Sequence, residues 1–220
     1  MRISLKQAIA KLQTGGVVAL PTETVYGLAA SMRHEVAIEE IFRLKGRPSS
    51  NPLIIHLADP KELLSFVPYM PEGGEELKKK FWPGALTLGM EVDTEKIFPC
   101  IRAGLSTAAF RTPKNTVTRE ILEKTGPLVM PSANLSGRPS STTAAHVEED
   151  FGALFPVVEA DTTVEAGLES TILIYQANTW KMGRLGAIAA ECFTSLLGYT
   201  PVLVSPEKKI LCPGQLVRQY

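Results

Sequence analysis

Lys45-Gly46-Arg47-Pro48-Ser49-Ser50-Asn51-Pro52 sets two cations two positions apart on a stretch stiffened by glycine and proline. Arginine offers a planar fork to phosphate oxygens and lysine a point charge, so the pair suits an anionic ligand, although two surface cations are more often simply solvated. Three more polar stretches stand where core-building does not require them. Pro21-Thr22-Glu23-Thr24-Val25-Tyr26-Gly27-Leu28 follows the apolar run Val17 to Leu20. In α/β sheets ligands bind beyond the carboxyl ends of strands, and the same residues also make an ordinary strand-to-helix turn with hydroxyl caps. Pro131-Ser132-Ala133-Asn134-Leu135-Ser136-Gly137-Arg138-Pro139-Ser140-Ser141-Thr142 is dense in small donors and acceptors. Near a helix N-terminus such a loop wraps phosphate or ribose, and it equally forms a series of Asx and Ser/Thr turns. Glu169-Ser170-Thr171 precedes another apolar run, and Arg111 and Arg184 are isolated cations. His56 interrupts the run Leu53 to Leu57, where a lone histidine is more often a hydrogen-bonded structural residue than a ligand or a base.

The motifs that are missing narrow the chemistry. The sequence holds no GxxxxGK[ST], no GxGxxG after its first apolar run, no HExxH and no GxSxG, which removes the P-loop, the dinucleotide fingerprint, the zinc protease and the nucleophile elbow. His34, His56 and His146 have no metal-like spacing. Cys100, Cys192 and Cys212 are odd in number without CxxC, a pattern of a reducing cytoplasm in which cysteines pack as small apolar residues. The residues alone therefore give an anion-binding protein acting on a phosphorylated small molecule or on RNA.

These stretches must be held by something. The chain has 220 residues, 45% hydrophobic and 21% charged, with 23 Lys+Arg against 23 Asp+Glu. That composition excludes disorder and fits a single globular domain. Zero net charge argues against a surface that is one nucleic-acid glove, while leaving room for a local basic patch. No uncharged apolar run approaches the ~20 residues of a membrane helix, and the N-terminal residues lack a signal peptide's apolar stretch, so a soluble cytoplasmic protein without membrane contact is expected.

The patterning predicts helices from Leu5 after a Ser4/Gln7 capping box, over His34 to Leu44, after Asp59-Pro60, and over Glu75 to Phe81, Thr116 to Lys124, Thr143 to Phe151 and Ala187 to Leu197. It predicts strands over Val17 to Leu20, Leu53 to Leu57, Ala85 to Val92, Thr107 to Phe110, Leu128 to Met130, Thr171 to Tyr175 and Val202 to Val204. Alternation of the two makes the fold class α/β, one domain over residues 1–204, with a linker-like tail over 205–220 punctuated by proline and charge.

The stretches PTETVYGLAA, KGRPSSNPLIIHL, FWPGALTL, RTP, PSANLSGRPSSTTAAHV and ESTILI, in this order between Pro21 and Ile174, resemble the blocks of the YrdC/TsaC-type threonylcarbamoyl-AMP synthases. The resemblance implies a twisted mixed β-sheet flanked by helices around a concave basic cavity, the YrdC-like fold. It implies a nucleotidyltransferase that condenses L-threonine, bicarbonate and ATP to threonylcarbamoyl-adenylate and pyrophosphate. The adenylate then passes to a tRNA-modifying threonylcarbamoyl-transferase machinery, with tRNA or double-stranded RNA as a further contact. Position by position, Thr24, His56, Arg111, Ser132 and Ser170 correspond to L-threonine contacts. Arg47, Asn51, Thr107, Asn134, Thr142 and Arg184 correspond to ATP contacts, and Lys45, Arg47, Ser132 and Asn134 to the catalytic cluster. Mg²⁺ is implied only as the companion of ATP, without a dedicated protein site.

The chain departs from the family pattern at Met182-Gly183-Arg184-Leu185-Gly186, where Leu185 replaces a usual proline, and at Gln219, which stands for a usual histidine in a tail similar to the linker of longer members. Two other readings remain open on the residues: an RNA-binding module without catalysis, and a carbamoyl-adenylate-forming enzyme with another substrate.

Overall fold

Ten strands join in one mixed sheet in the computed structural model, which describes residues 1–159, 164–204 and Pro213. In chain order the elements are β1 (Arg2–Ile3), α1 (Leu5–Gln13), β2 (Val18–Leu20), β3 (Gly27–Ser31), α2 (Glu35–Lys45), β4 (Ile54–His56), α3 (Gly74–Phe81) and β5 (Leu86–Glu91). There follow β6 (Thr107–Arg111), α4 (Thr116–Thr125), β7 (Leu128–Val129), α5 (Ala144–Phe151), β8 (Val157–Val158), β9 (Thr171–Gln176), β10 (Thr179–Arg184) and α6 (Thr194–Leu197). The strand order is β1-β8-β2-β3-β7-β4-β6-β5-β9-β10. β4 runs parallel to β6 and β5 to β9, whereas β7 pairs antiparallel with β3 and β4, and β5 with β6.

Strand alternation decides what each face carries. Ile55 and Phe110 point into the main core with Leu28, Leu88 and Trp180. Val18 and Leu20 point the other way, against Leu12 of α1 and Ile121 of α4. In the central strands the second face holds only a small apolar patch of Ile54, Ala109, Ile172 and Ile174. Ile54 pairs with Ala109 and His56 with Arg111, so the two polar side chains stand together at the strand ends, next to that patch.

The expected Ser4/Gln7 capping box is present on α1. Asp59 and Glu62 form a second box, but the segment it opens, Pro60–Ser65, winds as a 3₁₀ helix. α2 ends on Gly46 at φ 62°, left-handed, with nothing within 4 Å of a built Cβ. The turn thus separates Lys45 from Arg47 by backbone conformation alone. Gly46→Ala is expected to destabilise by about 1 kcal/mol, and Gly46→Asn by less, as read by urea unfolding.

Several expectations change. β3 takes up Gly27–Ser31, where Gly, Ala and Ser give little strand signal. β10 pairs with β9 through Ala177 and Asn178, both at positive φ (50° and 58°), the geometry of a two-residue hairpin. The predicted helix Ala187 to Leu197 is instead a 3₁₀ turn over Ala190–Phe193 followed by α6. Its first residues are held out of the helix, because Ala187 N–H donates to Glu169 O (2.9 Å) and Ile188 N–H to Thr171 Oγ1 (2.9 Å). In place of the predicted strand Val202 to Val204, only Leu203 forms a bridge, to Met182. Cys100 is half-buried and packs against the main core as expected, whereas Cys192 is exposed. Cys212 and Gln219 lie outside the described residues, as does the 205–220 tail apart from Pro213.

Candidate active site

An open cleft lies over the polar face of the central strands. One end is built by β4, β6 and the loop after β2. Arg111 is 4% exposed and fixed by three acceptors: Nε donates to Gly84 O (3.0 Å), Nη1 to Thr24 Oγ1 (2.9 Å) and Nη2 to Glu23 Oε1 (2.6 Å). Thr24 is placed by a hydroxyl turn in which its backbone N–H donates to Thr22 Oγ1 (3.1 Å). Ser170 closes this end, its Oγ 2.8 Å from Thr87 Oγ1.

His56, 2% exposed, approaches Ile54 O with Nδ1 at 3.3 Å. A carbonyl only accepts, so Nδ1 carries the proton and Nε2 is left as an acceptor. Burial, and then the charge of Arg111, push the imidazole pKa down to about 3. His56 is therefore neutral across the physiological range and acts as a hydrogen-bonding group, since so weak a base does not take a proton from an ammonium. The unfolded chain binds this proton near 6.5 and the folded one near 3, so stability is lost as the pH is lowered through that window. About 2 kcal/mol is expected to be lost between pH 6.5 and 4.5 from this group. His56→Gln should flatten that part of the profile in urea titrations, and an unchanged slope would contradict the assignment.

The other end is cationic. Lys45, the last residue of α2, is 3% exposed. Its ammonium donates to Ser132 O (2.5 Å) and Asn134 O (2.5 Å), with Asn134 Oδ1 at 3.4 Å. Arg47 donates through Nε to Asn51 O (3.1 Å), and through Nη2 to Asn51 Oδ1 (2.7 Å) and Pro52 O (2.7 Å). These partners are carbonyl oxygens, which satisfy the donors without cancelling charge. Burial, reinforced by Arg47, lowers Lys45 to about 7, against the pull of Asp150 and Glu169. Burial and then Arg184 lower Arg47 to about 9. Cations crowded in a poorly solvated cleft repel each other, and an anion between them relieves that cost.

The loop from Pro131 to Thr142 lies against Lys45 and is fixed from several sides. Ser136 N–H donates to Lys45 O (2.9 Å) and Ala133 N–H to Tyr26 O (2.7 Å). Asp150 of α5 accepts Leu135 N–H (3.0 Å) and Arg138 Nη1 (2.7 Å), and Asn134 Nδ2 donates to Arg138 O (2.7 Å). Arg184 of β10 donates to Ser170 O (2.9 Å) and Oγ (3.2 Å).

The cleft is lined by Thr24, His56, Arg111, Ser132 and Ser170 and by Lys45, Arg47, Asn51, Asn134 and Arg184, and the two sets meet where Lys45 reaches Ser132 O and Arg184 reaches Ser170. Two expected residues do not line it. Thr107 shares the polar face of β6 but lies at the strand's start, and Thr142 sits at the mouth of α5 with Oγ1 3.3 Å from His146 Nδ1. The sequence marks no role for Glu23, for Asp150 or for Glu169, which lines the cleft and accepts Ser140 Oγ at 2.5 Å. Among the described residues no group of three or more His, Cys, Asp or Glu side chains is arranged to hold a metal ion.

The sheet and its cleft define an α/β protein whose central strands carry a polar cleft lined by several cations. Residues 10–186 match the Sua5/YciO/YrdC family, described as telomere recombination, and the chain belongs to that family. It is 39% identical over 221 residues to a threonylcarbamoyl-AMP synthase of Bacillus subtilis (strain 168), covering 98% of this chain and 64% of the relative. It is 43% identical over 164 residues to a threonylcarbamoyl-AMP synthase of Pyrococcus abyssi, covering 74% of this chain and 48% of the relative. The solved structure of P. abyssi Sua5 complexed with L-threonine superposes with a TM-score of 0.90 at 34% identity, over 100% of this chain and 66% of that one. The chain therefore spans from about half to about two thirds of the length of these relatives.

Proposed function

We propose that this chain carries the active site of a threonylcarbamoyl-AMP synthase: L-threonine, bicarbonate and ATP give threonylcarbamoyl-adenylate and pyrophosphate. The observation that carries this reading is the division of one cleft into a rigid polar end and a cationic end. The two synthases similar over most of the chain, and the threonine-bound relative, support it.

In this reading the threonine amine attacks the carbon of bicarbonate, and water leaves as the carbamate forms. A carbamate oxygen then attacks the α-phosphorus as the bond to the β-phosphate oxygen breaks. Thr24, His56 and Arg111, with Ser132 and Ser170, hold the amino acid. Arg47, Asn51, Asn134 and Arg184 receive the nucleotide, with Thr107 and Thr142 contributing from the cleft's margin. Positioning and charge stabilisation do most of the work in such a transfer. Mg²⁺ enters with the ATP phosphates and balances their charge there. The adenylate is an activated acyl donor, consumed by a tRNA-modifying threonylcarbamoyl transferase in the cytoplasm. No helix among the described residues is long and apolar enough to cross a membrane.

The test is pyrophosphate release from ATP with bicarbonate, with and without L-threonine, and with L-serine as control. Threonine-dependent release with an adenylate product is expected. Absence of release, together with RNA binding that weakens steeply with salt, would move the chain to the non-catalytic RNA-binding class. Release that depends on a different amine would move it to another carbamoyl-adenylate chemistry.

A further inference from the structure

Glu23 is 7% exposed and uses both carboxylate oxygens. Oε1 accepts Arg111 Nη2 at 2.6 Å and Oε2 accepts the Lys114 backbone N–H at 3.0 Å. Its own carbonyl accepts Ala166 N–H at 3.0 Å. One residue therefore ties together the loop after β2, the turn after β6 and the segment that leads to Ser170.

This pairing sets the charge of one end of the cleft as well as its shape. Arg111 would otherwise be a further buried cation facing a cavity that already holds Lys45, Arg47 and Arg184. Fixed cations in such a cavity attract any anion present, and the reaction proposed above brings several: a triphosphate, bicarbonate and pyrophosphate. We infer that Glu23 is a positioning residue that cancels the charge of Arg111 at the amino-acid end of the cleft, favouring a zwitterion there while phosphates are drawn to the end that holds Lys45 and Arg47.

The inference rests on the amino-acid reading of that end. A zwitterion carries no net charge, and it fits a site that offers a paired Glu23–Arg111 dipole and a neutral His56. Arg111 still presents guanidinium N–H groups to a carboxylate, because its three contacts to protein use three of its five donors. Recognition then comes from a fixed fork rather than from excess charge. Burial alone would raise the Glu23 carboxyl, but the charge and hydrogen bond of Arg111 outweigh it and hold the group below the usual carboxylate range, so the carboxyl stays ionised at neutral pH.

Glutamine at position 23 has one acceptor oxygen where the carboxylate uses two. Glu23→Gln therefore leaves either Arg111 or Lys114 N–H facing an amide donor, and removes the counter-charge. The test is calorimetric titration of the 220-residue chain with L-threonine and with ATP, each with and without millimolar inorganic phosphate. In the wild type, phosphate is expected to compete with ATP and to leave the threonine Kd within about 2-fold. In Glu23→Gln the threonine Kd should rise at least about 10-fold, the scale of one charge-assisted hydrogen bond. Phosphate should now compete with threonine, while the ATP Kd stays within about 2-fold. Glu23→Asp keeps the charge and should keep phosphate out. A purely structural Glu23 would move the threonine and ATP affinities together and would not change which ligand phosphate displaces. If Glu23→Gln does not fold, the wild-type and Asp arms decide. Phosphate that displaces threonine from the wild type, or from Glu23→Asp, overturns the inference, as does a Gln variant with wild-type threonine binding. A wild type that binds ATP but no threonine overturns the amino-acid reading itself, and this inference with it.

Discussion

Lys45→Ala and Arg47→Ala are each expected to lower threonine-dependent pyrophosphate release at least ~100-fold, the scale of losing one preorganised electrostatic contact at a phosphoryl centre. The two losses should differ in kind. Arg47 is held as a fork by Asn51 and Pro52, so its removal takes away charge and the orientation of the 47–52 loop, and the ATP KM should rise. Lys45 directs its ammonium at Ser132 O and Asn134 O, while its own carbonyl receives Ser136 N–H. It clasps the loop that carries contacts for both substrates, and Lys45→Ala should raise the threonine and ATP KM values together. Turnover like the wild type's in both variants would overturn the assignment of this end of the cleft.

The lysine also leaves a protonic signature. With its pKa lowered to about 7 by burial and by Arg47, Lys45 is mostly neutral at pH 8 in the free protein. A bound triphosphate favours the charged form and raises that value, so ATP binding at pH 8 is expected to take up a proton. At pH 6, where the group is already charged, uptake should vanish. Calorimetry in buffers of different ionisation enthalpy reads this directly, and Lys45→Met should abolish the pH 8 uptake.

What the sequence made legible follows from how far apart the cooperating groups lie along the chain. Lys45 and Arg47 are near neighbours, and the residue types that grip an anion stand together in the text. The helix starts at Ser4 and Asp59 are written within four residues, and both capping boxes are present. The Glu23–Arg111 pair spans 88 positions and exists only because the loop after β2 folds over the end of β6. Asp150 reads as one more acid on the polar face of α5, and only the folded loop turns it toward Leu135 and Arg138. β3 and β10 were illegible for a different reason. Gly27-Leu28-Ala29-Ala30-Ser31 has no β-branched residue, and β10 alternates weakly behind a hairpin whose turn is Ala177-Asn178 rather than the usual Asn-Gly. In both strands tertiary pairing supplies what local preference does not.

Arg111→Ala is expected to remove threonine-dependent turnover and to destabilise the fold by about 3–5 kcal/mol at neutral pH, the usual cost of stranding one member of a buried ion pair. The larger share of that cost belongs to Glu23, left charged beneath the cleft with backbone N–H partners but no counter-charge among those described. Its wild-type carboxyl is held below the usual range, so the pair's contribution is present above the ordinary carboxylate pKa and is lost as pH falls through the depressed one. In Arg111→Ala the carboxyl loses the group that depressed it and protonates more readily. The gap in stability between variant and wild type should therefore shrink as pH falls below about 4.5. A double replacement, Glu23→Gln with Arg111→Met, removes both charges and should recover most of the stability without recovering turnover. The cycle of single and double variants, followed by urea unfolding, measures the coupling. A coupling near zero would mean that the pair contributes nothing to stability, and the fixed pose of Arg111 would then need another cause.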